Sequence, residues 1–202
     1  MAGIFKAVIW DMGGVLLQLV DDRSRRELAT RYGMTLGEVN EVVFNCKTAR
    51  LATLGVITEE EHWHQVGKIL GVSPTDLHNF QLQFWAGNRL DARLIEFIQL
   101  LRGKYQTALL SNAWSGARRA LTEYDDCLHV FEAIVISAEV KLAKPDPAIY
   151  LEVLKRLAVE PNQAVFIDDL RENIETANRL GMHGILFQNT EQAIADVESR
   201  LA

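Results

Sequence analysis

A chain of 202 residues with 49% hydrophobic and 24% charged side chains has enough apolar mass for one full-sized domain, or a core domain carrying an insert, which excludes disorder and collagen-like order. Its formal net charge of −6 argues against nucleic acid or an anionic membrane surface as the main partner, so an anionic substrate would need a locally positive pocket. Cys46 and Cys127 lack CxxC or CxxH context, the first apolar run is broken by Lys6, and no run reaches the ~18 apolar residues of a membrane span; a cytoplasmic protein with neither a disulfide framework nor a zinc site is expected.

Ile4, Phe5, Val8, Ile9 and Trp10 are β-branched or bulky, in a run too short for a helix, and predict a buried strand over 4–10 with Asp11 at its carboxyl end. From about 20 to 86 the pattern is helical throughout. Thr35 with Glu38 and Thr58 with Glu61 are capping-box pairs, Ser73-Pro74 reads as an N-cap followed by an N1 proline, and Gly33 and Gly71 as helix stops. Thereafter strands and helices alternate. Leu94, Phe97, Ile98 and Leu101 mark a helix stopped by Gly103, followed by a strand at 105–111; a helical stretch near 114–123 precedes a strand at 133–137. Asp146-Pro147 starts a helix carrying Tyr150, Val153, Leu154 and Leu157, 164–168 is a strand, 171–180 a helix stopped by Gly181, 184–187 a strand, and Thr190 the cap of a last helix.

Near-continuous apolar strands separated by helices predict an α/β fold with a doubly wound parallel sheet. The expected division is an α/β core of 1–17 and 87–202 with an all-helical subdomain, 18–86, inserted after the first strand. Ligands of such sheets bind beyond the carboxyl ends of the strands. There stand Asp11, Ser111-Asn112 and Asp168-Asp169, with Lys144-Pro145 in the loop after the third core strand. Three carboxylates brought together repel one another and raise each other's pKa unless a hard divalent cation relieves them, and Mg2+ is the natural candidate. A lysine and a hydroxyl beside that ion make a site for a dense anion such as phosphate.

These motifs, in this order and over nearly the whole chain, resemble the haloacid dehalogenase-like hydrolase superfamily. The strand ending 8-VIWDMGGV-15 is similar to its first motif, 108-ALLSN-112 to its second, 144-KPDPAIY-150 to its third and 165-VFIDDLREN-173 to its fourth. The helical insert is similar to the cap that many members place over the substrate. The resemblance implies a Rossmann-like core and a Mg2+-dependent phosphatase in which Asp11 attacks phosphorus and forms an aspartyl-phosphate. It implies further that Asp11, the Gly13 carbonyl and Asp168 or Asp169 hold Mg2+, that Ser111 and the Asn112 backbone amide bind the transferring oxygens, that Lys144 offsets growing charge, and that Asn173 orients the acidic pair or Lys144.

The chain departs from the pattern at Gly13, where phosphatases of the superfamily usually carry an aspartate that protonates the leaving oxygen. General acid-base help is typically worth ~10²- to 10⁴-fold. Three consequences are open. The substrate has a good leaving group, such as a sugar 1-phosphate or acyl phosphate; a cap residue replaces the acid, with Asp21, Asp22, His62 and His64 in view; or the chain is a weak or non-catalytic phosphometabolite-binding relative. The same absence suits the metal-free dehalogenases that attack carbon, but those lack the acidic pair at 168–169. The leading expectation is therefore a phosphatase acting on a small phosphorylated metabolite, with a sugar phosphate first. Trp63, Phe84 and Trp85 are expected as cap packing, Trp114 near the site, and Arg23, Arg25 and Arg26 as a basic cluster that could steer phosphate.

Overall fold

The computed structural model describes residues 5–123 and 127–202, and in it the first apolar run forms strand β1 (Ala7–Trp10), buried along its whole length. Ile4, assigned to that strand from sequence, lies outside the described residues. A tight turn leads into β2 (Leu17–Leu19), and after the helical block the chain returns as β3 (Asn88–Leu90), antiparallel to β2. This two-stranded ribbon ties together the exit and re-entry points of the block. Sequence reading did not find it, because three-residue strands carry too little alternation to register.

The remaining strands are β4 (Gln106–Ser111), β5 (Ala133–Ile136), β6 (Ala164–Asp168) and β7 (His183–Leu186). With β1 they form one sheet in the order β5-β4-β1-β6-β7, every pairing parallel. The order reverses at β1, so the crevice beyond its carboxyl end is the topological switch point.

The block between β2 and β3 comprises α1 (Arg23–Arg31), α2 (Leu36–Asn40), a π-helical turn (Glu41–Asn45), α3 (Lys47–Thr53), α4 (Glu59–Leu70) and α5 (Leu77–Trp85). The core adds α6 (Ala92–Leu101), α7 (Ala117–Glu123), α8 (Ser137–Val140), α9 (Pro147–Leu157), α10 (Arg171–Arg179) and α11 (Thr190–Leu201). Val8, Trp10, Leu109, Val165 and Ile167 point to the sheet face covered by Leu94, Phe97 and Ile98 of α6 and by Ala193 and Val197 of α11. Ala7, Ile9, Ala108, Leu110 and Phe166 point to the other, against Ile149, Val153 and Leu154 of α9 and Ile174 and Ala177 of α10. That alternation is the period of two expected of strands buried on both faces.

Both capping boxes form, and Gly71 ends α4 at φ 68°. Asp146 caps α9 with Pro147 in its first turn. Two predicted starts are corrected. Ser73 Oγ accepts the Asp76 amide and closes a turn, so that α5 begins only at Leu77 with Asp76 before it. The cap of α11 is Asn189, whose Oδ1 accepts from the Gln192 amide at 2.9 Å; Thr190 is the first helical residue and donates its hydroxyl to Asp91. Asparagine outranks threonine as an N-cap. No described helix is long and apolar enough to cross a membrane.

Candidate active site

Register builds the site. Trp10 is paired with Leu109 on one side and Ile167 on the other, and the Asp11 amide donates to Ile167 O at 2.9 Å. The next residue of β1, Asp11, therefore stands level with the buried Asp168 at the end of β6 and with Leu110 on β4, one residue short of the buried Ser111 that ends that strand. Beyond Asp11 the chain doubles back, with the Leu17 amide on Met12 O at 2.7 Å and the Gly14 amide on Leu17 O at 3.0 Å. Gly14 sits at φ 82°, and a Cβ there would lie 2.3 Å from Asp169 Oδ2. Glycine is thus demanded twice, by backbone conformation and by the carboxylate resting on the turn. Gly13 is different: it is exposed, and a Cβ would meet nothing within 4 Å.

Lys144 completes the cluster. Its Nζ stands 2.6 Å from Asp11 Oδ1 and 2.6 Å from Asp168 Oδ2, and all three side chains are buried. The segment that delivers it is held by Asn112, whose Nδ2 donates to Lys144 O at 2.8 Å while its Oδ1 accepts from the Lys144 amide at 2.8 Å. The Asn112 side chain thus acts as a ladder partner for the lysine backbone, a role that the second motif did not announce. A cis bond joins Lys144 to Pro145. Asp168 is fixed from the other side, accepting from the Leu170 amide at 2.8 Å and from Asn173 Nδ2 at 2.9 and 3.0 Å. Asn173 therefore orients Asp168, not Lys144. Its backbone carbonyl is in turn held by the Tyr150 hydroxyl at 3.1 Å.

The electrostatics are those of a site short of positive charge. Burial pushes the Asp11 carboxyl up to about 6; Lys144 pulls it back and Asp168 adds to the rise. Asp169, half-buried, is raised by burial first and by Asp168 second. Burial opposes the charge on Lys144, but Asp11 and Asp168 outweigh it and hold its pKa above the ordinary lysine value. One ammonium faces three carboxylates. Ligand oxygens of Asp11, Asp168 and Asp169 lie within 4.8 Å of one another, an all-oxygen set of the kind a hard divalent ion takes. Of the three, Asp168 is already saturated by hydrogen bonds, whereas Asp169 overhangs the Gly13-Gly14 turn.

The other polar residues singled out in the sequence are engaged elsewhere. Asp21 is clasped by Arg23 at 2.6 Å, a hydrogen bond that holds its pKa down to about 2, and Asp22 is lowered by Arg26 in the same way. His62 is fully buried. Its Nε2 lies 3.0 Å from Val43 O, and since a carbonyl only accepts, Nε2 carries the proton and Nδ1 takes the Thr48 hydroxyl at 3.0 Å. Burial lowers its pKa and keeps it neutral. His64 is exposed beside Glu60. The basic cluster does not exist as one patch, because Arg25 is buried in the block, donating to Phe84 O and Asn88 Oδ1 at 2.8 Å each, with its guanidinium 4.0 Å from the Phe84 ring centroid.

The helical block lies against the same rim. Glu59, first residue of α4, accepts from the Gly116 amide at 2.9 Å and from Trp63 Nε1 at 3.2 Å, and its own amide donates to Ser115 Oγ at 3.2 Å. A Cβ on Gly116 would lie 2.3 Å from that carboxylate. Trp114, three residues past Ser111, packs not with the sheet but into the core of the block, with Leu28, Val66, Phe80 and Phe84. No spacing rule exposes contacts of this kind; the proximity of Trp114 to Ser111 in sequence was the available signal.

Comparison with known proteins agrees with this architecture. Residues 5–181 match the family of hydrolases described as haloacid dehalogenase-like hydrolase. The chain is 28% identical over 190 residues, 92% of its length and 91% of the relative's, to the sesquiterpene phosphatase astK of Aspergillus oryzae. Among solved structures, a predicted HAD-like family hydrolase from Porphyromonas gingivalis superposes with a TM-score of 0.77 at 24% identity, covering 98% of each chain. A HAD family enzyme from Bacteroides thetaiotaomicron, in complex with magnesium and inorganic phosphate, does so with a TM-score of 0.76 at 23% identity, covering 91% of this chain and 94% of that one. The protein belongs to the haloacid dehalogenase-like hydrolases.

Proposed function

We propose that the protein is a Mg2+-dependent phosphatase acting on a small phosphorylated metabolite whose leaving group departs without help from an acid. The observation that carries this reading is Lys144 Nζ placed 2.6 Å from both Asp11 and Asp168, with Asp169 beside them, at the switch point of the sheet. The relative named a phosphatase and the neighbour holding magnesium with phosphate support it.

Asp11, the Gly13 carbonyl and Asp169, the one of the acidic pair whose oxygens are not taken up by hydrogen bonds, are the residues that would hold Mg2+, which supplies charge to screen an incoming phosphate from the carboxylates. An ionised Asp11 attacks phosphorus and becomes the aspartyl-phosphate; the leaving oxygen takes the electron pair of the broken P–O bond. Lys144 steadies Asp11 and offsets charge gathering on the phosphoryl oxygens, which Ser111 and the Asn112 amide bind. Water then cleaves the acyl phosphate. A metal-free attack on carbon fits this cluster poorly, since it would leave three crowded carboxylates against one lysine. The helical block, latched to the rim by Glu59, would serve as the cap.

Gly13 decides the leaving group. Arginines clasp Asp21 and Asp22, His62 is buried with both ring nitrogens engaged, and His64 is exposed beside Glu60, which argues against any of the four as the replacement acid. A leaving group of low basicity is then required, a sugar 1-phosphate or an acyl phosphate being examples. Because a side chain at position 13 meets open space, Gly13→Asp is expected to fold and to raise kcat on alkyl phosphates by up to ~10²-fold while changing little on p-nitrophenyl phosphate. Equal gains on both classes would refute the leaving-group argument.

A further inference from the structure

The β4–β5 pairing ends with Ser111 opposite Ile136, yet ladder hydrogen bonding runs on through side chains. The buried Ser137 accepts from the Ala113 amide through Oγ at 3.0 Å and donates its hydroxyl to Ala113 O at 3.1 Å. Asn112 does the same for the backbone of Lys144, with both bonds at 2.8 Å. Each side chain thus holds the amide and the carbonyl of one residue, Ser137 reaching back to the strand end and Asn112 reaching out from it. The second of these serves no packing. Asn112 is exposed and belongs to neither face of the sheet core.

Lys144 needs such a hold. Asp11 and Asp168 stand at strand ends and are fixed by the sheet, but Lys144 lies in the connection between α8 and α9, outside any helix or strand. Its ammonium bridges the two carboxylates at 2.6 Å each from the end of a flexible four-carbon stem. During turnover one of those anchors is lost, because a phosphorylated Asp11 no longer carries the charge that draws the ammonium. Asp168 and the backbone clamp are then what keep Lys144 in place. A displacement of ~1 Å at a reacting site can cost ~10²-fold in rate.

Resting on the phosphatase reading, we propose that Asn112 is a positioning residue whose carboxamide, acting through the Lys144 backbone, holds the ammonium where charge gathers on the phosphoryl oxygens. This role is separate from that of the Asn112 backbone amide, which every side-chain substitution retains.

Asn112→Ala is the test, and because the side chain is exposed its truncation opens no cavity and the fold should hold. The metal-free protein is treated with acetic anhydride, and acetylation of Lys144 is measured against that of the exposed Lys141 by peptide mass spectrometry. In wild type the buried, doubly paired ammonium of Lys144 should react slowly. Asn112→Ala should raise the Lys144-to-Lys141 ratio roughly fivefold or more, the equilibrium effect of losing one to two hydrogen bonds. Asn112→Asp, which keeps the acceptor for the Lys144 amide and loses the donor to Lys144 O, should fall between. With p-nitrophenyl phosphate and Mg2+, kcat of Asn112→Ala should drop ~10- to 10²-fold while KM stays within about twofold of wild type. An unchanged acetylation ratio or an unchanged kcat overturns the positioning role, and so does a loss carried by KM, which would make the carboxamide a substrate contact. If wild type releases no phosphate, the phosphatase reading fails and the acetylation ratio alone judges the clamp.

Discussion

Asp11→Asn is expected to lower kcat for phosphate release by at least about 10³-fold, to the detection limit with most substrates, because it removes the nucleophile and one anionic ligand together. The fold should survive. Asparagine has the same shape, Lys144 keeps Asp168 as its partner, and the charge removed is one that burial already disfavours, raising the Asp11 pKa to about 6. Thermal unfolding followed by circular dichroism should therefore give a midpoint equal to or above that of the wild type. A variant that loses activity only because it unfolds would not count as support, and one that keeps wild-type kcat would remove Asp11 from the role assigned to it.

Lys144→Met should act on stability as well as on rate. Deleting one partner of a buried ionic cluster typically costs ~3–5 kcal/mol, because the groups left behind are neither paired nor hydrated. Here Asp11 and Asp168 would face each other with no cation between them. Urea unfolding in EDTA should report that loss, and Mg2+ should recover more stability in the variant than in wild type. The pH dependence has a definite sign. A carboxyl whose folded pKa is raised above its ordinary 3.8, as Asp11 is to about 6, is destabilising while ionised. Stability is therefore regained as pH falls through the folded pKa, because the folded state binds the proton first. Removing Lys144 removes a group that lowers that pKa, so the recovery should begin at higher pH in Lys144→Met. Equal unfolding free energies for the two proteins in EDTA would contradict this reading of Lys144.

The candidate site was legible because most of its members stand where a strand-end pattern places them. Asp11, Ser111 and Asp168 are the first polar residues after apolar runs, and the carboxyl ends of parallel strands lie along one rim of the sheet. Lys144 was found by the motif it shares with a family. Its two hydrogen bonds with Asn112 were not, since a backbone pairing across 32 residues leaves no mark on composition. The ribbon β2–β3 escaped because three residues do not show a period. His62 stood in view as a replacement acid, and what it does instead depends on Thr48 and Val43, one fourteen and the other nineteen residues away. Trp114 was noticed for its neighbour Ser111, but only the fold seats it in the helical block, and Glu59 carried no signal at all, its carboxylate meeting Gly116 at a separation of 57 residues. What sequence conveys here is local periodicity and motif order; contacts between the block and the core are matters of surface fit.

The most direct measurement is phosphate release from p-nitrophenyl phosphate by the purified wild-type protein, in excess Mg2+ and in EDTA. Its phenolate leaves readily, so the missing acid at Gly13 does not mask the chemistry. Steady release in Mg2+ that EDTA abolishes and added Mg2+ restores is the predicted result. Release at the same rate in EDTA, or none under either condition, would contradict a Mg2+-dependent phosphatase built on Asp11, Lys144, Asp168 and Asp169.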